Sequence, residues 1–494
     1  MELHLRGALA RAAAGERGVW GRGRRLRWSV VDAQARAVAA GLRAHGVGAG
    51  DLVCVWMDKV PEVVSVCFGV VLAGAAYVPI DLGMPRARVA AIIEAARPRA
   101  VVSAKSAGPT LAVDVDVAWL APDALWAHEG GDDAVDAHDK AVAYVHFTSG
   151  STGQPKGVAI SHGAARSYFD SCAACLACGP GDVVANLAPL SFDLASFDLH
   201  MAVRSGAELV LVPPEVTLAP GSLLQLLATH TPTLLYTVPT TLHRLAGLRS
   251  IGEHCFPSLR ALIFAGEPPD TTALRALRPV FPRATFHAWY GSTEAALVTT
   301  LAFPPGDALP DRLPLGRPIE GAALAFEAGS SAQPPARGEE SELLVAGDFL
   351  FAGYVNRPDA DAEAFVQRDG RRWFRTRDLV RVDDNGEVVY VGRVDRMVKI
   401  AGYRVDPGEV EAALRATAGV TEAAVVAIDG AGGQQLAAFV VGASAAPATL
   451  LGELRRRLPP YLVPRQLHVV ASLPTTASGK VDPRALQARA KKES

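Results

Sequence analysis

The chain has 494 residues, enough for about three domain-sized units and a large core. Hydrophobic residues make up 50% and charged residues 20%, an ordinary balance for a globular enzyme, and a net charge of −2 gives no bulk electrostatic reason to bind nucleic acid or an anionic membrane. Six cysteines are too few to staple a chain of this length, so a disulfide scaffold is excluded.

The N-terminus, MELHLRGALARAAAGER, has no apolar run of the kind a secretory signal needs and reads as an amphipathic helix; a cytoplasmic location is expected. From 26 to 105 helix and strand patterns alternate. Helices are expected over 29–45, 62–72 and 85–96, and strands over 52–57, 76–80 and 100–103. This is the rhythm of βαβ units on a parallel sheet. The apolar stretch 63–80 approaches membrane-spanning length, but Gly69 and Gly74 interrupt it and Pro79 ends it, so a buried helix followed by a strand is expected. Residues 106–140 are acidic and read as an irregular surface connection.

Next comes YVHFTSGSTGQPKGVAISH, residues 144–162. Thr148, Ser149, Ser151 and Thr152, with Gly150, Gly153, Gly157 and Lys156, crowd between two strand-like runs. Glycine lets the backbone approach a ligand, and hydroxyls, bare N–H groups and a lysine supply donors, so the loop suits a polyphosphate. It is not a Walker loop, because Lys156 follows Pro155 and precedes Gly157. Cys172, Cys175 and Cys178 are spaced three apart, as in part of an iron–sulfur run, but no fourth cysteine follows, and small residues on a helix ended by Gly-Pro are expected. Alternation then resumes to about 291 and implies a second α/β sheet, with a helix over 197–205. Past 301, short strands among many Pro and Gly imply a smaller antiparallel β unit. A compact α+β unit follows from about 395, with the charged GRVDR as the boundary.

Several stretches in order resemble the adenylate-forming superfamily, and most closely the amino-acid adenylation domains of nonribosomal peptide synthesis. They are LAGAAYVPID (72–81), the loop above, LSFDLASFDLH (190–200), IFAGEPP (263–269), WYGSTEA (289–295), FRTRDLV (374–380), YVGRVDRMVKIAGYRVDPGEVE (390–411) and LPTTASGKVDP (473–483). The resemblance covers nearly the whole chain. It implies an N-terminal adenylation core over 1–394, built from two α/β sheets plus a small β unit, and a mobile α+β lid over 395–494. It implies ATP and Mg²⁺ as cofactors, with attack of a carboxylate on the α-phosphate. By the same resemblance Lys480 bridges carboxylate and phosphates, Glu294 holds Mg²⁺, and Thr293 donates to the α-phosphate. Thr148, Ser149, Gly150, Ser151, Thr152, Gly153 and Lys156 hold the outer phosphates. Gly266, Glu267, Tyr290, Gly291 and Tyr390 surround adenine, while Asp378 and Arg393 take the ribose. Asp395 is the hinge between two half-reactions, and Lys399 and Gly402 line a tunnel for a pantetheine thiol. Ser292 and Ser341 depart from the family's usual proline and glycine, and His146 replaces a common apolar residue; no role is assigned to it.

Asp193 sits among apolar neighbours, where a carboxylate is costly unless it meets a cation. In the amino-acid-activating branch this position pairs with the substrate ammonium; the other reading is a helix N-cap, for which Asp198 and Ser196 are better placed. The family's substrate pocket carries over to Asp193, Leu194, Phe197, Tyr236, Ile263, Ala265, Trp289, Leu297, Val298 and Lys480. Its aromatics imply a small or cyclic apolar amino acid. The set resembles L-proline-activating enzymes at Asp193, Leu194, Phe197, Tyr236 and Ala265, and departs at Trp289, where a smaller residue is usual; alanine or another small aliphatic amino acid is second. No carrier or condensation domain is recognised, so a separate phosphopantetheinylated carrier protein is the expected acceptor, with coenzyme A the other. The competing readings are an acyl- or aryl-CoA ligase, which Asp193 disfavours, and a non-catalytic scaffold, which Lys480, Glu294 and Asp378 disfavour. A generic kinase is the third, and the absent Walker pair disfavours it.

Overall fold

The computed structural model describes residues 5–103, 111, 113–131, 138–149, 155–327, 335, 337–430, 433–442, 446–475 and 481–492. They form a large N-terminal domain of two α/β sheets and a small β sheet, followed by a smaller α+β domain.

The first sheet runs in the order Gly353–Tyr354, Lys156–Ser161, Val142–Thr148, Ala76–Asp81, Leu52–Met57, Ala100–Ser103, Ala118–Leu120. Pairing is parallel from Val142–Thr148 to Ala118–Leu120. Runs such as LVCVWM are apolar almost throughout because a covered parallel sheet has no wet face. The stretch over 63–80 splits as expected into the buried helix Pro61–Leu72 and the strand Ala76–Asp81, and among the described residues no helix is long and apolar enough to cross a membrane. Residues 106–140 are not wholly irregular. They contain Ala118–Leu120, which lengthens the sheet, and the short helix Pro122–Trp126, whose Leu125 packs on the helix Trp28–Ala44.

The second sheet runs Arg317–Pro318, Thr299–Phe303, Thr285–Tyr290, Ala261–Phe264, Leu234–Thr237, Val183–Asn186, Glu208–Leu211, Gly18–Gly21, Arg24–Arg27. Its edge is an N-terminal hairpin that the periodicity did not mark, locked by Arg25 donating to Glu208 at 2.7 Å. The two sheets are therefore not simply consecutive: the hairpin crosses into the second, and Gly353–Tyr354 returns to the first. The C-terminal ends of Val183–Asn186, Leu234–Thr237, Ala261–Phe264 and Thr285–Tyr290 open on one rim, where such sheets place ligands. The antiparallel β unit is present, built on the long strand Arg371–Val382.

In the C-terminal domain the hairpin Val398–Ile400/Tyr403–Val405 precedes the helix Pro407–Arg415 and a three-stranded sheet. The basic C-terminal stretch is a helix, Pro483–Lys492, whose Leu486 and Ala490 are buried on that sheet. Cys172 is buried on the helix His162–Leu176, which ends before Cys178, and no grouping of metal-ligating side chains occurs among the described residues.

Candidate active site

The segment that aims Asp193 is pinned at several points. Lys59 is buried between the two sheets, and its Nζ donates to the carbonyls of Asn186 and Ala188, each at 2.8 Å. Burial pushes its ammonium down to about 7, against the opposing pull of Asp198 and Asp81. Asp81 accepts from Leu190 N at 3.1 Å and from the Ser191 hydroxyl. His146, buried, holds Ser191 O through Nδ1 at 3.1 Å and faces the Ser196 hydroxyl through Nε2 at 2.7 Å. A carbonyl can only accept, so Nδ1 carries the proton and Ser196 donates to Nε2. His146 thus has a place in the site that sequence reasoning withheld; the available signal was one polar side chain in an otherwise apolar strand.

The helix that follows begins at Asp193, not at 197, and Asp193 caps nothing. Ser196 and Asp198 do not cap it either: the first serves His146, and the second accepts from Asn186 Nδ2 at 2.8 Å. The Asp193 Oδ2 accepts from Thr293 Oγ1 at 2.7 Å, and Oδ1 is buried with no hydrogen-bond partner among the described residues. Around it, Leu194, Tyr236, Ala265, Trp289 and Leu297 line a cavity of about 90 Å³ together with Tyr144, His146 and Tyr168, which the sequence did not nominate. Phe197, Ile263 and Val298 are fully buried behind that wall and do not line it. Phe197, Tyr236 and Trp289 pack edge-to-face in a triangle, with ring centroids 5.1, 5.6 and 5.3 Å apart.

The cavity continues to Thr148, Ser149, Gly266, Tyr290, Gly291, Thr293, Lys399 and Gly402. An adjoining space of about 490 Å³ is lined by Gly266, Glu267, Tyr290, Gly291, Asp378, Tyr390 and Lys399, the residues expected around a nucleoside. Tyr290 donates to Asp378 Oδ2 at 2.7 Å, and Arg393 bonds the other oxygen of Asp378. Arg393 also forks onto Asp395 at 2.7 and 3.0 Å, so the expected hinge carboxylate is tied to the expected ribose pair. Glu267 differs from a simple adenine wall: one oxygen accepts from Thr240 N at 2.6 Å and the other from Gly402 N at 3.2 Å, so it also joins the two domains.

Glu294 is 1% exposed, and Oε1 accepts from Tyr354 at 2.9 Å and pairs with Arg404 at 2.6 Å. Burial alone would raise its pKa, but Arg404 and local hydrogen bonds hold it below the usual range. Its Oε2 is buried and meets no hydrogen-bond partner among the described residues. An ionised, orphaned oxygen of this kind fits a hard divalent cation such as Mg²⁺. Lys156 lies 5.6 Å from the centre of the Tyr354 ring, and burial, then Arg404, lowers its pKa. Gly150, Ser151, Thr152, Gly153 and Lys480 lie outside the described residues.

Two family models match: AMP-binding enzyme over residues 8–355 and AMP-binding enzyme C-terminal domain over 409–480. The chain belongs to the AMP-binding enzyme family. This AMP-binding enzyme is 38% identical to the phenyloxazoline synthase MbtB of a Mycobacterium species, matching over 92% of its own length but only 39% of that protein. It is 35% identical to an L-proline–[L-prolyl-carrier protein] ligase of Streptomyces coelicolor, with 93% of this chain and 91% of the ligase covered. Among solved structures it superposes on the amide bond synthetase McbA of Marinactinospora thermotolerans with a TM-score of 0.86 and 26% identity, covering 98% and 99% of the two chains. The AMP-binding enzyme is accordingly an adenylate-forming ligase of the same superfamily, and its layout matches the fold expected from sequence.

Proposed function

We propose that the protein uses ATP to activate a small or cyclic apolar α-amino acid, L-proline favoured, as its aminoacyl-AMP, and passes the acyl group to the phosphopantetheine thiol of a separate carrier protein. The observation that carries this reading is Asp193. Its Oδ1 is buried without a donor among the described residues, in a cavity walled by Tyr236, Trp289 and Leu297. An α-ammonium satisfies such an oxygen; a fatty or aryl acid leaves it unpaired at a cost of about 1–3 kcal/mol or more. The ring triangle leaves room for a short side chain, and the relative in Streptomyces coelicolor acts on L-proline.

In this scheme Asp193 holds the ammonium and orients the carboxylate toward the α-phosphate. Thr293 gives its one hydroxyl proton to Asp193; once the ammonium takes its place on Asp193, the hydroxyl is free to turn and donate to that phosphate. The carboxylate attacks the α-phosphorus and the bond to pyrophosphate breaks. Lys480 neutralises the charge that gathers there, while Thr148, Ser149, Thr152 and Lys156 hold the outer phosphates. Asp378 and Arg393 keep the ribose, and Tyr290 gives adenine a flat wall. Glu294 would hold Mg²⁺, which supplies charge neutralisation. We place the domain boundary at 394/395, with Asp395 as the pivot. ATP–pyrophosphate exchange over a panel of amino acids tests the reading. Proline or small aliphatic amino acids should exchange fastest. Exchange with only aromatic or charged amino acids, or only with fatty or aryl acids, would overturn it.

A further inference from the structure

The strand Val142–Thr148 serves both halves of the site from one face. Side chains two apart on a strand point the same way, and Tyr144, His146 and Thr148 all line the cavity. Thr148 and the adjacent Ser149 are the phosphate donors of the reading above. His146 instead reaches across to the turn that carries Asp193, and its two nitrogens engage both flanks of that residue. Nδ1 lies 3.1 Å from Ser191 O, two positions before Asp193, and Nε2 lies 2.7 Å from Ser196 Oγ, three positions after it. No side chain caps the helix that starts at Asp193, so its first turn is held through His146 and not through a cap. His146 is 2% exposed and Ser196 3%, which leaves no water to take over either bond. The imidazole packs edge-on to Tyr144, ring centroids 5.4 Å apart, and Tyr144 stacks in turn on Tyr77 at 5.5 Å. Packing alone asks only for a flat ring here. The use of both nitrogens is what an apolar ring cannot supply.

We propose that His146 is a positioning residue for the amino acid. It ties the turn that aims Asp193 to the strand that carries Thr148 and Ser149. The distance from the bound ammonium to the phosphate donors is thereby fixed, and with it the point where the substrate carboxylate meets the α-phosphate. A small misplacement of two reacting groups costs rate steeply. This role rests on the adenylation reading above. His146 acts through Asp193 and exchanges no proton with either reactant: its Nδ1–H stays on Ser191 O and its Nε2 keeps accepting from Ser196.

ATP–pyrophosphate exchange by the full chain, with L-proline and with L-alanine, tests this. His146→Phe keeps a ring against Tyr144 and removes both bonds. His146→Gln gives up the ring but offers one N–H and one carbonyl, which serve Ser191 and Ser196 in the same sense. In His146→Phe the KM for the amino acid should rise about tenfold and kcat fall about tenfold, while the KM for ATP stays within about twofold. His146→Gln should recover most of both losses, and Ser196→Ala, which removes one bond, should fall between wild type and His146→Phe. A packing role ranks the two His146 variants in the opposite order. His146→Phe near wild type, His146→Gln worse than His146→Phe, or an equal rise in the KM for ATP would each overturn the proposal while leaving adenylation intact. Exchange of neither amino acid by the wild-type protein would overturn the substrate reading and this proposal with it. If His146→Phe fails to fold, the other two variants decide. His146→Gln near wild type, together with a KM for the amino acid raised about threefold in Ser196→Ala, supports the proposal, and any other pair of results overturns it.

Discussion

At the residue scale the site is governed by which buried oxygens lack donors. Asp193 and Glu294 each use one oxygen inside the protein and leave the other buried and unpaired among the described residues. Such an atom costs the folded protein stability, and a ligand cation recovers it. The two carboxylates differ in what supports them. Glu294 has a direct ion pair with Arg404 in this posture, while among the described residues the direct hydrogen bond of Asp193 is to a neutral hydroxyl, so Asp193 depends more on its ligand. Asp193→Asn keeps the shape and the bond to Thr293 but removes the charge. A charge-assisted bond is worth about 1.5–3 kcal/mol, so kcat/KM for the amino acid should fall about 10–100-fold while KM for ATP changes little. Exchange kinetics at varied amino acid and varied ATP measure both; a loss confined to ATP would show that Asp193 serves the nucleotide instead.

At the element scale, the loop from Asn186 to Phe192 and the hairpin 398–405 deliver the working groups, and each hangs on a small number of contacts. Lys59 crosses from the first sheet to hold two carbonyls of the loop and to offset Asp198 and Asp81. Lys59→Met leaves both carbonyls and both carboxylates without it. The loss should be about 3 kcal/mol or more in urea unfolding, with weakened amino-acid exchange because Asp193 loses its anchor. Gly402→Ala tests the hairpin. The left-handed φ and the approach to Val238 together cost a side chain there about 1–3 kcal/mol, and only in the seated posture. Carrier loading should fall more than ATP–pyrophosphate exchange, and equal losses would mean that the hairpin is also seated during adenylation. How legible these elements were follows from their physics. Covered parallel strands such as Leu52–Met57 and Ala76–Asp81 announce themselves as apolar runs, and the glycine, hydroxyl and lysine loop announces a phosphate. The hairpin Gly18–Gly21/Arg24–Arg27 has an exposed, arginine-rich second strand with no period-two signal, so its place on the second sheet was not readable. The start of the Asp193 helix was hidden because an acidic residue in a first turn looks like a cap. The partners of His146 and Arg404 lie 50 and 110 residues away, and single-chain periodicity carries no information at that range.

At the scale of the whole molecule, several histidines have been folded into the interior with no ion pair among the described residues. His200 is 1% exposed, stacked on Phe169 at 4.7 Å with Tyr77 OH 3.3 Å away, and burial pushes it down to about 3. His162 and His287 are likewise buried, and burial pushes each to about 4. All three stay neutral in the folded protein over a range where the unfolded chain, with the ordinary value of 6.5, takes up protons. The unfolded state therefore binds more protons below about pH 6.5, and stability falls as pH falls from there toward the folded values. At about pH 5 each histidine costs the native state about 2 kcal/mol. Asp198 and Asp81 oppose this, because burial raises their pKa values and the native state then holds protons that the unfolded chain releases. The net slope is accordingly less informative than a difference between two proteins. His200→Phe keeps an aromatic ring against Phe169 and removes one titrating site. Between about pH 6.5 and 4 the slope of unfolding free energy against pH should be shallower in the variant by about 1.4 kcal/mol per pH unit, one proton's worth. Urea unfolding at several pH values measures it. An unchanged slope would mean that His200 exchanges its proton freely in the folded state, and that the core between the first sheet and the helix Asp193–Ser205 is open to water.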